Sequence, residues 1–362
     1  MSFSLLKFET KTNFKELCTA VGMLTKLMVF SVSYMTFENE TYGKAMAIAL
    51  DRSPQLTELH LSFIVFDHPK SFFDMVAPML SPKCRINKFI MRSCVLTPLE
   101  SKVLCYILMK NKVMHTVDFS ECIDRDQNAL VLIFDKFGHG SNVRYLSLEG
   151  IMPDLNFSIA KLGTALAENT KIETLNISNS KIKTAPFTSF FMAIKNNKSL
   201  KKINASKTEL SDKVCEKIAE FLSMEELRLQ ELDLSRNLIT DVGFKLIFAA
   251  IHKNKTIEHL NFDQNHLKSS GCEAISLCLE ENQSIVELSL SGNKINNEGI
   301  AILGQFLKKN ETLFFLDISK NMFTDFGFSI FSTYLGESKG LIYLDIQKNK
   351  DISDDQSLIP FA

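Results

Sequence analysis

Glu231, His259 and Glu287 stand 28 residues apart in a chain of 362. Two carboxylates around an imidazole are the first place to look for chemistry, since they could ligate a divalent cation. They are equally a favourable alternation of opposite charge, and 28-residue spacing is not chelating in sequence, so no metal is expected there. The eight cysteines, Cys18, Cys84, Cys94, Cys105, Cys122, Cys215, Cys272 and Cys278, include no C-x-x-C pair. Their scatter fits neither a zinc cluster nor a small disulfide framework and reads as reduced, buried thiols. Gly138-His139-Gly140-Ser141 is a flexible turn with no helix starting directly after it, which a phosphate loop would need. No nucleotide-binding loop, nucleophile elbow or H-E-x-x-H segment is present, and no Ser/His/Asp or Cys/His set converges. The expectation is no catalytic residue and no cofactor.

Composition agrees. Forty-one Lys and Arg balance forty-two Asp and Glu, so no global field draws the chain to nucleic acid or to an anionic membrane. The N-terminus lacks a basic start followed by an apolar stretch, and no run approaches the roughly 18 apolar residues of a membrane span. A cytoplasmic location follows as an expectation. The Asn-x-Ser sequences at Asn176, Asn204 and Asn282 are then accidental rather than glycosylation sites.

The elements that would position any site come from a repeat. Ile285-Val-Glu-Leu288-Ser-Leu290-Ser-Gly-Asn293-Lys-Ile295 is an L-x-x-L-x-L-x-x-N-x-L unit. The frame recurs from Leu27, Leu56, Ile86, Met114, Val143, Ile172, Leu200, Leu229, Ile257, Leu313 and Leu341, in steps of 28 to 30 residues. Counting the first apolar residue as position 0, the L-x-L core predicts a short strand with alternate side chains inside. Position +8 turns inward, where Asn237, Asn265, Asn293, Asn321 and Asn349 can satisfy backbone groups of a buried turn. Thr208, Ser180, Cys122 and Cys94 fill the same slot upstream. Thr97-Pro98-Leu99-Glu100 is a capping box opening a helix toward Asn111, and Gly243, Gly271, Gly299 and Gly327 fall near four successive helix starts, where backbones can approach closely.

The 28/29-residue alternation, the helix-start glycines and the Asn/Cys ladder resemble the ribonuclease-inhibitor class of leucine-rich repeats. The resemblance implies an α/β solenoid, a horseshoe with parallel strands on the concave face and helices on the convex face. Residues 1–26 are expected to form an N-terminal cap, its helix starting at Asn13-Phe-Lys-Glu16 with Phe14, Leu17, Cys18 and Val21 on one face. Residues 27–352 hold about twelve repeats, and 353–362 a short tail in which Leu358, Ile359 and Phe361 fold back over the last strand or leave an open edge capable of self-association.

Even positions face out of the sheet. At +6 the column is mostly serine, which would let large partner side chains approach the backbone. At +2 the last repeats carry Glu231, His259, Glu287, Phe315 and Tyr343, and at +4 Asp233, Asn261, Ser289, Asp317 and Asp345. Phe315 and Tyr343 are expected to stack as exposed aromatics, as interfaces favour. Asp317 and Asp345 are expected side by side, with Lys320 and Lys348 three residues on, either to neutralise them or to join Arg236 and His259 in a charged docking patch. The expected function is a non-enzymatic scaffold holding a protein partner, with neither nucleic acid nor membrane insertion. The resemblance leaves two alternatives: a GTPase activator resembling the Ran activator, although no long acidic tail follows the last repeat, and an actin regulator resembling tropomodulin or CARMIL.

Overall fold

The computed structural model describes residues 2–3, 11–124, 128–137, 140–151 and 155–350. The chain divides into two compact units, residues 1–180 and 181–362. In the first, β1 (Ser2–Phe3), β2 (Val29–Phe37), β3 (Glu58–Phe66), β4 (Lys88–Arg92), β5 (Thr116–Asp118), β6 (Tyr145–Ser147) and β7 (Thr174–Asn176) lie parallel in chain order. In the second, β8 (Lys202–Asn204), β9 (Glu231–Asp233), β10 (His259–Asn261), β11 (Glu287–Ser289), β12 (Phe315–Asp317) and β13 (Tyr343–Asp345) do the same. A helix separates each strand from the next. Strands β2 to β13 each begin two residues after the apolar residue that opens the repeat, so the repeat frame and the strand register coincide. β1 is an addition that the repeat pattern does not contain.

Positions 0, +3 and +5 fill the core: Ile285, Leu288 and Leu290 have no exposed surface, and Leu146 in the first unit is equally buried. Stacking repeats leaves many turn N–H and C=O groups away from water, and side chains satisfy them in three ladders. At +8, Asn293 Nδ2 donates to the carbonyls of Phe262 and Leu290, and its Oδ1 accepts from Leu267 N–H. Asn237, Asn265, Asn321 and Asn349 repeat this pattern, while Cys122 supplies one S–H bond to Met91 O and Thr208 one O–H bond to Ala205 O. β2 and β3 have Met35 and Ile64 at +8, which can bond nothing. In these two the backbone keeps pairing as far as Phe37 and Phe66, and both strands run for 9 residues. β6, with Ile151 at +8, stops after three, so an apolar +8 residue alone does not set the length.

A second asparagine ladder was not anticipated. Asn111, Asn282 and Asn310 end their helices three residues before the next repeat opens. Asn282 Oδ1 takes the N–H groups of Ser284 and Ile285, and its Nδ2 bonds Ile251 O and Asn254 O. In Asn254-x-Thr256, Asn282-x-Ser284 and Asn310-x-Thr312 the hydroxyl also lies within hydrogen-bond distance of the Asn Oδ1. The sequon-like pattern is therefore a packing motif, and Asn282, 2% exposed, is closed to modification.

The third ladder joins helix starts in the second unit. Asp212 accepts from the N–H and O–H of Thr240 and from Gly243 N–H. A Cβ on Gly243 would lie 2.6 Å from that carboxylate, and one on Gly327 2.8 Å from Asn297 Cα. These glycines make room for the polar cap of the preceding repeat.

The capping box at Thr97 and Glu100 forms as expected, opening the helix Pro98–Lys110 with Asn111 as its C-cap. The first helix, Lys11–Gly22, begins two residues before the expected start, so Asn13 sits inside its first turn rather than at its cap. Phe14, Cys18 and Val21 are buried as the apolar face requires, Phe14 against Phe37 and Tyr42, and Leu17 is half-buried. The tail at 353–362 and the turn at Gly138-His139 lie outside the described residues.

Candidate functional site

In the second unit, parallel register puts the +2 side chains in a row: Lys202, Glu231, His259, Glu287, Phe315 and Tyr343. The strands here are three residues long, from +2 to +4, so this row forms one edge of the solvent face of the sheet. Lys202 pairs with Glu231 at 2.6 Å, and His259 Nδ1 meets Glu287 at 2.9 Å. Glu231 is thus engaged away from His259, and among the described residues no His, Cys, Asp and Glu cluster could hold a metal ion. Phe315 and Tyr343 stack face to face, with centroids 4.7 Å apart and planes 2° from parallel. Phe315 is half-buried by its partner, and Tyr343 is 48% exposed.

The +4 acids are less free than their charge suggests. Asp317 Oδ1 accepts from Ser319 N–H and Asp345 Oδ1 from Gln347 N–H, each at 2.8–2.9 Å. Asp233, Asn204 and Asn261 do the same two residues ahead of their own turns. These are Asx turns that end the strand, which is why short polar acids occupy the column. They also close the +6 column: Ser235, Ser291 and Ser319 are buried, so it is not the open approach to the backbone expected from its small residues. At +6 Asp263 accepts from Ser289 O–H and Ser291 N–H. Burial pushes its carboxyl above the ordinary range, with the charges of Asp317 and Asp233 adding to the effect.

Lys320 and Lys348 do not neutralise the Asp317/Asp345 pair; among the described residues no ion pair joins them. The backbone explains this. Both lysines have left-handed φ, 53° and 55°, as does Arg236 at 56°. Position +7 is left-handed in all twelve repeats, and only Gly150 and Gly292 are glycines. This geometry turns the side chain out of the sheet, away from the +4 acids. Lys320, Lys348 and Arg236 therefore belong to a rim row, whereas Phe315, Tyr343, His259, Asp317 and Asp345 lie on the sheet. The sequence reading missed this row because nothing in its composition marks a left-handed position; only its phase, two glycines 142 residues apart in the same slot, hinted at it.

The row holds another aromatic pair in the first unit. Tyr34 and Phe63 stack with centroids 4.4 Å apart, 50% and 44% exposed, both with left-handed φ.

A leucine-rich repeat family profile matches residues 229–248, 253–276 and 281–303, three successive repeats in the same frame as the other nine. The chain is a leucine-rich repeat protein. A search by sequence among curated proteins gives no match. Among solved structures, it is similar to an internalin from Listeria monocytogenes at 13% identity, covering 93% of this chain and 94% of that one with a TM-score of 0.47. It is similar to the yeast Rad7 and Elc1 complex at 12% identity, covering 97% and 86% with a TM-score of 0.46. Leiomodin-1 actin-binding site 2 matches at 20% identity over 51% of this chain and 90% of that one, with a TM-score of 0.34. Among the described residues, no helix of this leucine-rich repeat protein is long and apolar enough to cross a membrane.

Proposed function

We propose that the protein is a non-enzymatic, cytoplasmic scaffold that holds a protein partner on the solvent face of the second unit. The observation that carries this is the Phe315–Tyr343 stack, two large side chains held parallel on a sheet surface, Phe315 half-buried and Tyr343 exposed. Ordered aromatics of this kind contribute binding energy with little conformational entropy to lose, and interface energy concentrates in such residues. His259 with Glu287 and the Asp317/Asp345 pair form a polar surround, and Lys320, Lys348 and Arg236 flank it on the rim. Eight free cysteines, seven of them buried and one half-buried, fit a reducing compartment.

The test is site-specific photo-crosslinking from position 343, followed by affinity measurement on the captured protein with the Phe315→Ala/Tyr343→Ala double variant. A partner captured from position 343 but not from Lys245 on an outer helix, and weakened by the double variant, supports the reading. Capture only from the outer helix overturns it. A Ran-type GTPase mixed with the protein should hydrolyse GTP at its unassisted rate; acceleration by orders of magnitude would favour the activator alternative.

A further inference from the structure

The rim of the second unit carries an unbalanced positive charge. Its +7 row reads Lys207, Arg236, Gln264, Gly292, Lys320 and Lys348, and two residues on Lys294 and Lys350 add to it. All six cations are exposed, and none has an ion-pair partner among the described residues. The one acid in these two rows, Glu209, faces Lys181 at 3.6 Å. Several surface lysines elsewhere in this unit are paired, as Lys198 is with Glu226, Lys308 with Glu337 and Lys339 with Glu311, and others such as Lys245 have no ion-pair partner among the described residues. What sets the rim apart is that its cations follow one another in two adjacent rows with a single acid. Equivalent residues of stacked strands lie about 4.8 Å apart, so six repeats give a strip of roughly 24 Å.

We propose that this strip is a docking rail for an acidic peptide segment of the partner. Its length suits about seven extended residues. The chemistry favours carboxylates on a polypeptide over a nucleic acid for two reasons. One step inward lie Asp233, Asp317 and Asp345, which would repel the second phosphate strand of a duplex. The strip also contains no Phe or Tyr on which bases could stack, and single-stranded nucleic acid is held by a basic track together with such platforms. The rail deepens the scaffold reading, since Arg236, Lys320 and Lys348 flank the aromatic pair, but its anchors are separate from that pair.

Fluorescence anisotropy with a labelled twelve-residue glutamate peptide tests it on the full chain. The peptide should bind at 50 mM salt, weaken steeply by 300 mM, and outbind a twelve-residue oligothymidylate at least tenfold. Arg236→Glu/Lys294→Glu/Lys320→Glu/Lys348→Glu should lose at least tenfold in affinity, while Lys245→Glu on an outer helix changes nothing. If that variant melts early, the Arg236→Gln/Lys320→Gln pair serves, with an intermediate loss expected. Absence of peptide binding at 50 mM salt, equal binding of the oligonucleotide, or full affinity after charge reversal overturns the rail. Phe315→Ala/Tyr343→Ala should leave peptide affinity unchanged, so the rail and the aromatic docking face fail separately.

Discussion

At one backbone position the two units of this leucine-rich repeat protein carry opposite chemistry. The left-handed +7 row reads Tyr34, Phe63, Ser93, Glu121, Gly150 and Asn179 in the first unit, without a cation, and holds four cations among six residues in the second. Their turns differ as well. Asparagine fills +8 in five of the six repeats of the second unit, whereas the first has Met35, Ile64, Cys94, Cys122, Ile151 and Ser180 there. The left-handed turn forms regardless. A left-handed φ costs a non-glycine residue roughly 1–2 kcal/mol, and bulky aromatics adopt it here without glycine's freedom. Stacking against neighbouring repeats therefore imposes the turn, and the +7 side chain, released from that duty, is free to differ between repeats.

The largest effects should show that the two cores are equivalent. Leu146→Ala and Leu288→Ala remove fully buried leucines at the same repeat position, and each should cost about 2–5 kcal/mol in chemical denaturation. A loss below 1 kcal/mol in one unit only would mean that the units do not share a packing scheme.

Next is the contrast in partner contact. Against the crosslinked partner, Phe315→Ala/Tyr343→Ala should weaken binding by roughly 2 kcal/mol or more. Tyr34→Ala/Phe63→Ala should leave it unchanged in the same titration. Reversal of that order would move the docking face to the first unit.

The turns come third. Asn293→Ala strands the Leu267 N–H and removes one of the two side-chain donors from each of the Phe262 and Leu290 carbonyls, and should destabilise by about 1–3 kcal/mol. Cys122→Ala loses one weak S–H bond and should cost distinctly less in the same denaturation assay. Equal costs would show that hydrogen bonding is not what separates the two kinds of turn.

Asp263 adds a pH dependence to the second unit. Its folded carboxyl lies above the ordinary range because it is buried. The folded state therefore holds that proton more tightly, and the group's stabilising contribution is present below the unfolded pKa and lost as pH rises through the raised folded value. Asp263→Asn should gain stability relative to wild type at pH 7 and lose that advantage near pH 4, read from melting at the two values. A gain that does not change with pH would assign the effect to packing instead.

The smallest effect concerns the rim. Lys320→Gly relieves the left-handed strain but adds unfolded-state entropy of about 0.5–1 kcal/mol, so its melting temperature should barely move. Phe63→Gly also forfeits the stack with Tyr34 and should be the less stable of the two by about 0.5–1.5 kcal/mol.

The periodic apolar residues, the capping box at Thr97, the +8 ladder and the Phe315–Tyr343 adjacency were all legible in the sequence. Each depends on spacing, and a 28-residue repeat converts spacing directly into neighbourhood, since residues one repeat apart become partners in the next strand. Three things only the tertiary structure decided. The +4 acids are Asx turns rather than free charges, because the N–H each one caps depends on where the strand ends. Asn282 and its equivalents are structural, because their carbonyl partners come from the repeat before. Lys320 and Lys348 stand on a rim away from Asp317 and Asp345, because a left-handed backbone at +7 redirects the side chain, and that conformation is imposed by the stacked repeats rather than by the residue that adopts it.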